Sequence, residues 1–146
     1  ILDLLRGLQR EFGMALLLIT HDLGTVNEIA DRVAVMYGGR IVEQAPRREL
    51  LAAARHPYTQ GLLRSLPARA PRGAKLPEIP GAVPPPREWP AGCRFVSRCE
   101  RAMEACRDVF PAATAAGATH LVWCHAVAAD EATPGERAAP SEEGGA

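Results

Sequence analysis

Apolar residues follow three rhythms along this chain, and each rhythm predicts a different element. Ile1, Leu4, Leu5, Leu8 and Phe12 recur at helical spacing, with Arg6, Gln9, Arg10 and Glu11 on the other face; the pattern predicts a helix stopped by Gly13. Ala15-Leu16-Leu17-Leu18-Ile19 has no polar position, which predicts a strand buried on both faces, as in a parallel sheet covered by helices. After Thr20-His21, Asp22 is placed to cap a helix through Val26, Ile29 and Ala30. Residues 33–37 and 40–44 flank Gly38-Gly39 and predict a hairpin, because a Gly-Gly loop accepts the positive φ of a type I′ turn. Pro46 suits the first turn of a helix containing Leu50, Leu51 and Ala54. His56-Pro57 breaks that helix, and residues 58–66 predict a second short one.

From Pro67 the rhythm stops. Pro71, Pro77, Pro80, Pro84, Pro85, Pro86 and Pro90 predict an extended, semi-rigid connector over residues 67–91. Residues 92–125 carry every cysteine, and residues 126–146 are so rich in Ala, Glu, Gly and Pro that a disordered tail is expected. The defensible domain break is at Pro67, and no internal repeat is evident. The 13 Pro and 13 Gly among 146 residues concentrate in the second half, so the compact part is shorter than the length implies. Seventeen Lys plus Arg balance 17 Asp plus Glu, which argues against a nucleic-acid partner. No apolar stretch approaches the roughly 18 residues that span a bilayer, and there is no signal-peptide pattern; any membrane association must come through a partner.

Ligand chemistry in open α/β sheets gathers beyond the carboxyl ends of the strands, where His21 would lie. An imidazole there suits a phosphate or its attacking water, although a capping or merely satisfied polar histidine is the plainer alternative. The neighbouring residues change that weighting. His21-Asp22-Leu23-Gly24, followed by the run from Glu28 to Glu43 that contains Asp31-Arg32-Val33-Ala34-Val35-Met36-Tyr37-Gly38-Gly39-Arg40, resembles the end of the nucleotide-binding domain of ABC transporters. His56-Pro57-Tyr58-Thr59-Gln60-Gly61-Leu62-Leu63 narrows the resemblance to subunits that energise dipeptide and oligopeptide importers. Ile79-Pro80-Gly81, Gly92-Cys93-Arg94-Phe95 and Arg98-Cys99 are similar to the C-terminal extension of that subfamily's D-type subunits. The resemblance covers about residues 1 to 125.

It implies an α/β fold: the C-terminal part of an ABC-type nucleotide-binding domain over residues 1–66, belonging to a P-loop NTPase sheet, then a Cys-rich, metal-stapled module over 92–125. It also implies that His21 is the switch histidine contacting the γ-phosphate of ATP, while Asp22 remains a helix cap. Asp31 and Arg32 are expected to form a local ion pair or cap, Met36 and Tyr37 to pack in the core or hairpin, and His56 to carry no chemistry. The sequence contains no Gly-x-x-x-x-Gly-Lys-Ser/Thr loop, no Leu-Ser-Gly-Gly-Gln signature and no Asp-Glu pair for Mg²⁺ and water. These are expected upstream of Ile1, so the chain reads as the C-terminal part of a longer ATPase subunit that should not hydrolyse ATP by itself.

Cys93, Cys99, Cys106 and Cys124 are spaced C-x₅-C-x₆-C-x₁₇-C, in a segment with few large apolar residues. Segments this small usually need a staple. Two disulfides fit the even count but not a reducing cytosol. A Cys₄ zinc site fits the count but lacks the close C-x₂₋₄-C pairs, and His120 or His125 beside Cys124 offers a substitute zinc ligand or a purely structural residue. Cys₄ ligation also serves a [4Fe–4S] cluster, and Arg94, Arg98, Arg101 and Arg107 interleave with the thiols to offset negative charge. The resemblance points to the cluster, since some D-type subunits hold one in this extension.

The leading expectation is thus part of an ATP-binding subunit, peripheral on the cytoplasmic face of the inner membrane. Its partners would be a second ABC ATPase subunit, the transmembrane permease and, indirectly, an extracytoplasmic peptide-binding protein. The competing one is a stand-alone Cys₄ metal-binding or redox module with a relic ATPase segment. On the first view residues 1–45 should expose apolar surface when isolated, because an unpaired core strand lacks its neighbours.

Overall fold

The computed structural model describes residues 1–67 and 75–132. Helix α1 (Leu2–Phe12) ends where Gly13 adopts φ 61°, as the helical spacing and the glycine stop require. Helix α2 (Leu23–Ile29) starts at Asp22, whose carboxylate accepts from the backbone N–H of Gly24 at 2.9 Å and of Thr25 at 3.2 Å. Strands β1 (Arg32–Tyr37) and β2 (Arg40–Pro46) then form an antiparallel hairpin. Gly38 and Gly39 turn it with φ values of 55° and 78°, a conformation side chains disfavour.

Helices α3 (Arg47–Ala53) and α4 (Pro57–Arg64) follow, and His56 caps α4 by accepting the Tyr58 N–H at its Nδ1, 3.1 Å away. After two short 3₁₀ turns (Pro86–Glu88 and Val96–Arg98) come α5 (Ala105–Asp108), β3 (Ala113–Ala115), β4 (Leu121–Trp123) and α6 (His125–Ala132). The sheet is antiparallel throughout, in the order β1-β2-β4-β3, so the last strands of the chain pair directly with the hairpin.

One core joins residues on both sides of Pro67. Val35, Tyr37, Val42, Ala45 and Leu50 pack with Cys93, Phe95, Val96 and Cys106, and Ile79 covers their edge. Tyr37, Tyr58 and Phe95 meet edge to face at its centre, with centroids 4.7 to 5.3 Å apart. The domain break expected at Pro67 therefore does not divide the packing. Nor is the proline-rich segment a bare connector. Ser65 Oγ donates to the Pro77 carbonyl at 2.6 Å, and Ile79 lies where a Cβ on Gly61 would meet it at 2.8 Å.

Four further expectations are corrected. Residues 15–19 form no strand, and Leu17 and Ile19 are exposed. A parallel strand needs neighbours brought in by long crossovers, and none lies beside this run among the described residues. Residues 126–132 are not part of a disordered tail: they continue α6 (His125–Ala132), with Ala126 and Val127 buried, and the rest of the expected tail, 133–146, lies outside the described residues. Met36 faces outward while Tyr37 is buried, as strand alternation demands. Arg32 donates to the Thr119 carbonyl at 3.4 Å instead of serving a purely local contact with Asp31.

Candidate functional site

Local backbone geometry delivers each of the four thiols. Cys93 and Cys106 are bridged where the Cys93 N–H donates to the Cys106 carbonyl at 2.8 Å and Gly92 N–H to that of Arg107 at 3.1 Å. A Cβ on Gly92 would lie 2.4 Å from the Cys106 oxygen, so only glycine permits that approach. Cys99 closes the 3₁₀ turn Val96–Arg98, and Cys124 joins β4 to α6. All four are free thiols; three are buried and Cys99 is half-buried. The disulfide alternative is not what the structure forms.

The sulfurs are oriented by the main chain. Met103 N–H donates to Cys106 Sγ at 3.4 Å. Phe95 N–H serves Cys93, Arg101 N–H serves Cys99, and the N–H groups of Val127 and Ala126 serve Cys124. Burial nevertheless pushes the Cys93 thiol up to about 11, against the Phe95 hydrogen bond and helped by the charges that Cys106, Cys99 and Cys124 would carry. Cys99 and Cys124 are raised for the same leading reason, burial. The upward shifts favour the neutral thiol at Cys93, Cys99 and Cys124, while the N–H donors facing these sulfurs favour the thiolate.

Among the described residues no three His, Cys, Asp or Glu side chains converge closely enough to share one metal ion. Four sulfurs around a single zinc stand only about 3.8 Å apart, from the Zn–S length. Of the four arginines expected to offset charge, only Arg101 is placed to do so. Its guanidinium acts on Cys124 and Cys99 and is bonded to both oxygens of Asp130 at 2.9 and 3.0 Å. Arg94 instead lies 4.1 Å over Trp89 and donates to the Gly38 carbonyl at the hairpin tip; Arg98 ties down the carbonyls of Pro80 and Ile79 at 2.8 and 2.9 Å. Arg107 is exposed.

A second polar centre is buried around β2, and the sequence did not announce it. Glu43 is fully buried. It accepts from the backbone N–H of Arg55 at 2.6 Å and of His56 at 3.1 Å, and its Oε1 lies 2.7 Å from His120 Nε2. The other ring nitrogen of His120 faces Glu49 Oε1 at 3.2 Å. His120 is therefore structural, not a metal ligand, and His125 bonds the Val109 carbonyl at 2.9 Å. The available signal was a Glu directly after Val42 in a strand: β2 is interior to the sheet, so alternation alone does not expose it. His56 is likewise buried, which lowers its pKa to about 4 and keeps it neutral as a cap.

His21 lies apart from these centres, exposed on the segment between residues 15–19 and α2. Asp22 beside it is held below the usual carboxylate range by the Thr25 hydroxyl and the Gly24 and Thr25 N–H groups.

Residues 42–106 match the family of the oligopeptide/dipeptide transporter, C-terminal region. Over this span the chain resembles that family. Its matched span runs from β2 to the third cysteine, taking in Glu43, His56, Cys93, Cys99 and Cys106 and stopping before His120 and Cys124. The dipeptide transport ATP-binding protein DppD of Bacillus subtilis is 43% identical over 124 residues, which is 85% of this chain and 37% of that protein. The oligopeptide transport ATP-binding protein AppD of the same organism is 49% identical over 106 residues, 73% of this chain and 32% of that protein. A Brucella ovis protein named for peptide import and ATP binding is 52% identical over 117 residues, 76% of this chain and 35% of its own. The chain thus spans about a third of the length of the curated relatives it matches. A mixed α/β structure with a small antiparallel sheet fits the C-terminal region of such an ATPase.

Proposed function

We propose that this chain is the C-terminal part of the ATP-binding subunit of an importer of dipeptides or oligopeptides. The observation that carries the reading is the family match over residues 42–106, extended by relatives named as peptide-transport ATP-binding proteins across most of the chain. In the intact subunit ATP and Mg²⁺ would be bound mostly by residues outside this sequence. Within it, His21 would contact the γ-phosphate and pair nucleotide state with the position of the loop ahead of α2. The exposed apolar run 15–19 just ahead of His21 supports this, since it offers apolar surface that the rest of a larger subunit could cover. The subunit would sit peripherally on the cytoplasmic face of the membrane beside a second ATPase subunit and the permease, which receives peptide from an extracytoplasmic binding protein. Among the described residues no helix is long and apolar enough to cross a membrane.

Cys93, Cys99, Cys106 and Cys124 would hold a [4Fe–4S] cluster, which supplies a rigid four-point cross-link between loops that have little apolar surface of their own. Zinc is the competing occupant. Residues 1–146 alone are not expected to hydrolyse ATP, because they contain no phosphate-cradling loop. The alternative of a stand-alone thiol module draws support from the core being confined to residues 33–127.

The deciding experiment is ATP hydrolysis by the full-length subunit assembled with its permease in vesicles. His21→Ala is expected to lower the rate about a hundred-fold with assembly intact; an unchanged rate removes His21 from the site. Iron, sulfide and zinc analysis of anaerobically purified protein addresses the thiols: one zinc without sulfide sinks the cluster.

A further inference from the structure

The four thiols do not belong to one piece of core. Cys93 and Cys106 are part of the main cluster around Val35, Tyr37, Leu50 and Phe95, and Cys99 packs against it. Cys124 belongs to a separate small cluster with Val122, Ala126 and Val127. That second body reaches the first through β4, which pairs with β2 over only two registered positions, Glu43↔Val122 and Gln44↔Leu121. Two ladder pairs are a weak joint. At its surface α6 is tied to the first body by the Arg55–Glu131 and Arg101–Asp130 ion pairs; at the strand joint itself the reinforcement is buried and polar, with Glu43, central in β2, 2.7 Å from the ring of His120, the residue that leads into β4. Glu43 is itself fixed by the N–H groups of Arg55 and His56, and Glu49 of α3 holds the far side of the imidazole.

From this geometry we infer that Glu43 and His120 form a clasp that sets the fourth thiol against the other three. The thiol set is split three to one, and it is complete only while β4 is docked on the β1–β2 hairpin. Any movement of β2 relative to β4 swings Cys124 out of the set while Cys93, Cys99 and Cys106 stay together. Glu43 is thus a positioning residue, acting on Cys124 through His120 and three residues of strand. The inference rests on the reading that the four cysteines serve one centre, but it does not depend on which metal or cluster they hold.

Alkylation of the metal-free, reduced, full-length protein by N-ethylmaleimide, mapped residue by residue by mass spectrometry, tests it. In Glu43→Gln, labelling of Cys124 is expected to accelerate about ten-fold while Cys93 and Cys106 keep their wild-type rates, because only the local joint opens. His120→Gln, which breaks the clasp without touching β2, is expected to give the same selective pattern and stands in should Glu43→Gln not fold. Unchanged labelling of Cys124, or acceleration of all four thiols together, overturns the clasp. Iron and sulfide analysis of the wild type reads separately on the cluster, so a protein that takes up neither leaves the alkylation contrast to decide this inference alone.

Discussion

Leu17 lies in a run with no polar residue and Leu50 in a helix that opens with Arg47-Arg48-Glu49, yet Leu17 is 88% exposed and Leu50 is completely buried. The regions around them differ in the same way. None of residues 1–31 is buried, although they contain the strongest helical and strand patterns in the chain. From residue 32 onward, shorter and more interrupted patterns build the whole core. The difference lies in where each element finds a partner. β1 meets β2 across a two-residue turn, so the chain supplies its ladder locally. Residues 15–19 form no strand and find no neighbour among the described residues, so their apolar side chains have nothing to cover. Hydrophobic pattern thus states what an element is suited to bury, not whether it is buried.

Substitutions in the two regions should separate sharply. Leu50→Ala is expected to cost about 2–5 kcal/mol in chemical denaturation, since the site is enclosed on all sides; a cost below about 1 kcal/mol would mean the core is looser than described. The next largest effect is on acidification. His56 is neutral when folded with a pKa of about 4, against 6.5 when unfolded. Its contribution is complete above the unfolded value and is lost as pH falls from 6.5 towards 4, by about 3 kcal/mol in total. His56→Asn keeps a cap and should flatten that part of the stability–pH curve. Gly92→Ala, which drives a Cβ against the Cys106 carbonyl, is expected to cost about 1–3 kcal/mol and to disturb the Cys93–Cys106 bridge. Smallest is Leu17→Asp: unfolding of the packed region should shift by less than about 0.5 kcal/mol while aggregation falls, as light scattering would report. A large destabilisation there would erase the contrast between the two regions.

Much of the local structure was legible residue by residue. The Gly13 stop, the Asp22 cap, the Gly38-Gly39 turn and the break at His56-Pro57 all appear where the chain indicates, because each depends on neighbours a few positions away. The division into domains was not legible. Pro67 marks a real change in composition, but Ile79, Phe95 and Val96 return across it to complete the hairpin's core. A composition boundary reports chain stiffness, whereas a domain boundary reports which side chains touch. The same limit applied to the tail, where α6 is secured by Arg55–Glu131 and Arg101–Asp130 ion pairs formed with residues far upstream.

The candidate sites divide along that line. The sequence alone could name the four cysteines as a group, because identity and order are properties of the sequence. It could not show that main-chain N–H groups point at the sulfurs, that only Arg101 among four arginines stands beside them, or that Glu43 lies buried under His120. Those facts depend on pairing β2 with β4 across almost eighty residues, and contacts at that separation are decided only when the chain closes on itself. What the sequence determined by itself was the local grammar of helices, caps and turns and the supply of thiols; the tertiary structure decided which apolar segments found cover and which charges went inside, because burial is a property of neighbours in space.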